Sequence, residues 1–346
     1  MAASTRLVKP YRRFALAVLG TAGGIVLLFA AVNTWVNPLW VTQTPWTDDA
    51  FAPYRQIYRQ QRTAKAGLVR SKTWDVAFFG SSRIDLAFDP ANPHWGDKRA
   101  VNLAVSAGTL PETAPIVRYA LEHTPLETVI VGVDIGDLMG SHSAWRSTGF
   151  LESPFNPKGE KFERELRYVV GFSSLESSFK TIRNRIRGAL PEYTQQGHRL
   201  RHQNPPDVAK VIARDSIAHA LRSIRRRDNK LEPNEWKIGL LRQALTDAKE
   251  HGARMVVVIP PSHAAYLGVY HLEGDRDPAF SKDRAIMTRL VDEANAAHPD
   301  APPAEIWDFN DFHPLNCEPI PTDGSRMHWW VDGTHARKSL GDEQME

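Results

Sequence analysis

Cysteine is almost missing from this chain of 346 residues, which has Cys317 alone. One thiol excludes an internal disulfide, and so short a count says nothing about redox compartment. A lone thiol packs as a small hydrophobe, so Cys317 is expected to be buried. Charge of one sign is also scarce. Forty-three Lys and Arg face 40 Asp and Glu, a formal net charge of +3, too weak a bias for a nucleic-acid partner. No internal repeat or low-complexity tract is present. No cluster of His, Asp or Glu has ligand spacing on one helix or loop, so no metal site is expected and no cofactor is implied. The hydrophobic content of 42% is ordinary, and the length suits one sizeable α/β domain with an appendage.

A second absence is local. Phe14 to Val36 contains no charged residue, whereas residues 1–13 carry Arg6, Lys9, Arg12 and Arg13 with no acid. At about 1.5 Å per residue the uncharged run can cross the roughly 30 Å hydrocarbon layer. It has no polar face and is longer than the apolar region of a secretion signal. No small-x-small cleavage site follows, so an uncleaved anchor over 14–36 is expected. The basic flank precedes the span, which predicts a cytoplasmic tail (1–13) and a main domain across the membrane. In a bacterium that is a single-pass inner-membrane protein with a periplasmic or extracellular domain. Trp35 and Trp40 stand where an aromatic belt would lie. Residues 37–73 read as a solvated neck with an amphipathic helix near 53–69.

From Trp74 the pattern alternates. Strands are expected at 76–79, 100–105, 128–135, 254–259 and 304–309, the third nearly continuous in apolar residues and therefore covered on both faces. Thr109-Leu110-Pro111-Glu112 reads as a capping box opening a helix to about His123. Asn234 caps another helix that Gly252 stops, and Ser281 caps a third. Strands separated by helix-length segments predict a parallel sheet. Residues 136–233 break the rhythm as a basic helical insertion or cap, with helices near 160–170, 174–188 and 206–227. Its arginines suit a solvated face, or a surface for anionic glycans or lipid headgroups. The α/β domain is thus 74–135 plus 234–346.

Two short stretches carry chemistry. In Phe79-Gly80-Ser81-Ser82 a strand runs into a turn and leaves Ser82 at the carboxyl edge of the sheet, where open α/β folds place ligands. A serine hydroxyl needs a base to become a nucleophile. Asp332-Gly333-Thr334-His335 offers one, with the carboxylate of Asp332 in reach of the His335 imidazole in the same loop. His313 and His263 also follow strand ends and are rival bases. Arg83 can pair with Asp85 or Asp134, or bind an anionic substrate group. Trp329 and Trp330, beside His328, are packing residues or a sugar-stacking platform.

Taken in order, Phe79-Gly80-Ser81-Ser82, Asn102-Leu103-Ala104-Val105-Ser106-Ala107-Gly108, Val131-Gly132-Val133-Asp134 and Asp332-Gly333-Thr334-His335 resemble the conserved blocks of the SGNH/GDSL hydrolase superfamily. The nearest likeness is to its membrane-anchored envelope branch, which includes the teichoic-acid D-alanyl transfer protein and alginate O-acetylation proteins. The resemblance covers about 74–135 and 252–337. It implies a three-layer α/β/α domain, flavodoxin-like, with about five parallel strands. It implies Ser82 as nucleophile, His335 as base, Asp332 behind it, and oxyanion donors in the Ser82 and Gly108 amides. Asp134 stands where family hydrolases usually carry a donor asparagine, and Asn102 is a candidate substitute. The implied activity is that of an esterase or O-acyltransferase on acyl, such as acetyl, esters of envelope polysaccharide. The implied partners are that polysaccharide or its acyl donor, and a membrane-embedded acyltransferase. Asp134, and the short stretch after His335, fit the alternative of a non-catalytic SGNH-like envelope protein that binds glycan or a membrane partner.

Overall fold

The computed structural model describes residues 4–140, 147–200, 205, 207–225, 232–272 and 277–346. An apolar helix, α1 (Ser4–Val36), leads through two 3-10 turns to α2 (Gln61–Ser71). Then follow β1 (Val76–Phe79), α3 (Ser82–Ala87), β2 (Ala100–Asn102), α4 (Leu110–His123) and β3 (Thr128–Gly132). Four helices come next, α5 (Thr148–Leu151), α6 (Lys161–Val170), α7 (Phe172–Ile186) and α8 (Val208–Arg225). The chain closes with α9 (Glu235–Glu250), β4 (Arg254–Ile259), α10 (Ala264–Leu272), α11 (Asp277–Ala297), β5 (Glu305–Asp308) and α12 (Lys338–Met345).

The five strands are all parallel, in the order β2-β1-β3-β4-β5. Alternate side chains serve opposite faces. Ala77, Phe79, Val129, Val131 and Val257 join a core with residues of α4, α9 and α11. Val76, Phe78, Ile130, Val256 and Val258 join a second core with residues of α3, α8 and α12. Burial on both faces explains why the strands read as unbroken apolar runs. The strand order reverses between β1 and β3, so their carboxyl ends diverge and leave a crevice there.

Local expectations fare unevenly. Asn234 does cap α9, accepting from the Lys237 N–H at 3.2 Å, and Gly252 follows that helix with φ 72°. The strands β2, β3 and β5 are shorter than their apolar runs, although backbone bonds continue beyond them, from Leu103 to Phe78, Val133 to Val258 and Phe309 to Ile259. The capping box at Thr109 is not closed. The Thr109 side chain makes no capping bond, and the buried Glu112 carboxylate pairs with Arg62 at 2.6 Å instead. α11 begins at Asp277 rather than at Ser281. Cys317 is exposed, ending a 3-10 turn whose buried member is Asn316.

The neck is not solvated. Phe51, Ile57, Ala64 and Leu68 are buried, and Trp40 packs under the Arg55 guanidinium instead of standing in an aromatic belt. The segment at 136–233 is also more than a cap, since α8 covers one sheet face through Val208 and Ile212. The neck carries a charge into the core: Lys65, on α2, is fully buried against Asp85 and the Ala104 carbonyl. Tyr193 donates to the other Asp85 oxygen at 2.8 Å. Burial pushes the Lys65 ammonium down, with Asp85 opposing. Removing one member of a buried pair strands the other charge at a cost of about 3–5 kcal/mol. Lys65→Met is therefore expected to lower stability by about 3 kcal/mol or more, with partial recovery in Lys65→Met/Asp85→Asn, read by thermal unfolding in detergent.

Candidate functional site

β1 delivers the chain to a turn that demands glycine. Gly80 has φ 138°, and a Cβ there would lie 2.9 Å from the Gly132 carbonyl. Gly132, on β3, leaves room for Ile84 of α3, whose side chain would meet a Cβ at 2.3 Å. With both glycines present, α3 starts immediately. Ser81 is its N-cap and Ser82 its first residue. Among the described residues, the backbone N–H of Ser82 meets no hydrogen-bond acceptor, as expected at a first helical position.

The second loop is shaped by its own aspartate. Asp332 Oδ1 accepts from the backbone N–H of Thr334 at 2.8 Å and of His335 at 2.9 Å. This closes an Asx-type turn. Val331 and Arg337 donate back across the loop, and Trp330 is buried beneath it with its indole N–H on the Leu315 carbonyl at 2.9 Å. The His263 N–H reaches the Gly333 carbonyl at 3.1 Å, tying the loop to the end of β4.

These two loops meet. Ser82 Oγ lies 2.8 Å from His335 Nε2, across 253 positions of sequence. His335 Nδ1 lies 2.8 Å from Asp332 Oδ2. A carboxylate beside Nδ1 favours the proton on that nitrogen and leaves Nε2 as acceptor for the serine hydroxyl. Burial would raise the Asp332 carboxyl, but the imidazole and the two backbone N–H groups outweigh it and hold the group well below the usual carboxylate range. Ser82 and His335 both keep partial solvent exposure.

Arg83, next to Ser82, is a clamp between strand ends. Its Nη1 donates to Asp134 at 3.0 Å, after β3. Its Nη2 donates to Pro260 O at 2.9 Å, Ser262 Oγ at 2.8 Å and the Pro261 carbonyl, all after β4. Of the alternatives open for Arg83, pairing with Asp134 is the one observed: its guanidinium serves the protein and balances the Asp134 charge. Asp85 is not its partner, being held by Lys65.

Other expectations at this rim are corrected too. Asn102 is fully buried, with its side-chain amide on the Ile84 and Phe88 carbonyls at 3.0 and 2.9 Å. It closes the end of α3 and is not an oxyanion donor. The Gly108 amide donates to the Val105 carbonyl at 2.9 Å and is spent in its own turn. Trp330 is core, so no two-tryptophan platform exists, and Trp329 is half-buried with its ring edge-on to His328. His263 is buried, its Nε2 on the Glu318 carbonyl at 2.8 Å, and His313 caps a surface turn. Of the three candidate bases, His335 is the one that meets Ser82. A cleft of about 640 Å³ between α2 and α6 includes none of Ser82, Asp332 and His335 in its lining.

Sequence reading missed the groups beneath the rim. Tyr193 carried no signal, because its phenol reaches Asp85 from inside the insertion. Asp283, which nothing in the sequence singled out, is fully buried and accepts from the Gly136 N–H at 2.5 Å.

The chain matches none of the protein-family models it was scanned against, and no curated protein matches it in sequence.

Burial pushes the Asp283 carboxyl up to about 6. In the window between its ordinary value, about 4, and about 6, the folded state holds a proton that the unfolded state releases. The stabilisation is full below that window and is lost as pH rises through it. The unfolding midpoint of Asp283→Asn is therefore expected to change less across that window, from about pH 4 to about pH 6, than that of the wild type.

Proposed function

We propose that the protein is a serine esterase or O-acyltransferase working through an acyl-Ser82. The observation that carries this reading is the relay of two hydrogen bonds, Ser82 Oγ to His335 Nε2 and His335 Nδ1 to Asp332, each 2.8 Å. In this reading Ser82 Oγ attacks the carbonyl carbon of an ester as its proton passes to His335 Nε2. Asp332, kept ionised, stabilises the imidazolium. Collapse of the tetrahedral intermediate breaks the C–O bond, and the leaving alcohol takes the proton from His335. Water or a sugar hydroxyl then gives its proton to His335 and attacks the acyl carbon; the bond to Ser82 Oγ breaks, and Ser82 recovers the proton from His335. The Ser82 N–H is the oxyanion donor.

The all-parallel sheet and the order of the four sequence blocks support a three-layer α/β/α domain of SGNH type. An anchor with its basic flank inside the cell would hold that domain beside envelope polymers. Acyl esters of a surface polysaccharide are the substrate class this reading favours, and a membrane-embedded acyltransferase the partner.

A second reading has its own support. The Gly108 amide and the Asn102 side chain are engaged, and a carboxylate, Asp134, stands where a donor would help. Each missing oxyanion donor costs about 10² to 10³ in rate. A non-catalytic protein that keeps the fold to bind glycan fits those features. Turnover of a p-nitrophenyl acetyl ester by the full chain separates the two. Activity is expected in the wild type, none above background in Ser82→Ala or His335→Ala, and a loss of about 10² or more in Asp332→Asn. Wild-type turnover equal to that of Ser82→Ala would favour the binding protein.

A further inference from the structure

Helix α7 is built inside out, and α6 beside it adds two exposed apolar side chains. On α6, Phe162 and Leu166 point outward, 80% and 46% exposed. On α7, Phe172, Phe179 and Ile186 recur at seven-residue steps and are 73%, 59% and 80% exposed. The inward face of α7 is mostly polar, with Ser174, Ser177, Ser178 and Thr181 buried beside Leu175. A surface helix normally buries its apolar stripe and presents its polar one.

The buried serine face packs on α1. Ser178 Oγ donates to Asn33 Oδ1 at 2.9 Å, and Asn33 Nδ2 donates to the Val169 carbonyl at 2.9 Å. Asn33 is where the apolar run of α1 ends. From Phe14 to Asn33, at roughly 1.5 Å per residue, α1 advances about 30 Å, one hydrocarbon thickness. The hairpin is therefore fixed at the depth where a spanning α1 would leave the lipid. Two further features mark that level. Trp46 donates its indole N–H to Thr34 at 2.9 Å yet stays 61% exposed, as an interfacial tryptophan does. Arg183 and Arg187 stand exposed beside Ile186, suited to phosphate headgroups.

We propose that the α6–α7 hairpin is a second membrane element, lying in the boundary between headgroups and acyl chains at the carboxyl-terminal end of α1. Its occupant is the lipid bilayer. Serine-to-asparagine bonds tie the hairpin to α1, and its phenylalanines enter the acyl boundary. One helix leaves a domain free to swivel, whereas a helix with a lateral float fixes its tilt and the height of the Ser82 rim. The proposal holds whatever chemistry Ser82 performs.

The test uses the full chain in pure-lipid nanodiscs, with Cys317→Ser to remove the native thiol. Nitroxide labels are placed singly at Ile25→Cys, Phe179→Cys, Ile186→Cys and Asp300→Cys, and collision with oxygen is compared with collision with a nickel chelate. Labels at Phe179 and Ile186 are expected to favour oxygen, closer to Ile25 in α1 than to Asp300 on the domain surface. If they match Asp300 while Ile25 is lipid-like, the hairpin faces water or a protein partner and the proposal is overturned. If Ile25 is itself aqueous, α1 does not span and the proposal falls with it.

Discussion

One hydrogen bond, between the Ser82 hydroxyl and the His335 imidazole, sets what the rest of the chain must do. Its partners sit on loops far apart in sequence, so a parallel sheet has to bring both to one edge. β1 contributes the serine through a turn that a Cβ at Gly80 would obstruct. The histidine arrives on a turn held shut by its own aspartate, on a floor of buried Trp330. Arg83 ties the ends of β1, β3 and β4 together directly behind the serine. That clamp holds the Ser82 turn against the ends of β3 and β4, and the His263 N–H on the Gly333 carbonyl ties the histidine loop to the same rim.

Charge placement follows the same logic. Among the described residues, the acids around the rim are held by partners. Asp332 has the imidazole and two amides, Asp134 has Arg83, and Asp85 has Lys65 and Tyr193. Lys65 comes from the segment between α1 and the sheet, and Tyr193 from the segment between α7 and α8. Segments that look peripheral in sequence are thus bolted into the floor of the site. Asn33 extends the bolting to α1, since both ends of its amide are taken by the hairpin. The long apolar helix α1, the helices α6 and α7, the neck and the sheet form one connected body.

Much of this was legible in the sequence where a single physical rule dominates. Strands covered on both faces show as apolar runs, so β1 and β4 were placed to the residue and the others within a few positions. The uncharged run announced α1, and a strand ending in Gly-Ser-Ser pointed to the sheet edge. The failures share a cause, which is competition for a partner that sequence cannot show. Asn102 and Gly108 had suitable donors, but nearby carbonyls claimed them. Glu112 could have closed a capping box, but Arg62 was closer to its charge. Trp40 was expected in an aromatic belt and Trp330 was left open between packing and a platform; both are buried, because an indole that finds an acceptor or a guanidinium packs as core. Residues 37–73 looked solvated because their buried residues are gathered from several turns, Trp40 and Ala52 as well as the helix that carries Ala64 and Leu68.

Covalent capture of the serine tests the central claim most directly. The full chain in detergent would be treated with a fluorophosphonate and the adduct located by peptide mass mapping. One adduct on Ser82, absent after Asp332 or His335 is replaced, is the expected result. A wild-type chain that stays unmodified, or that is modified at another residue, would contradict the reading of Ser82 as a nucleophile.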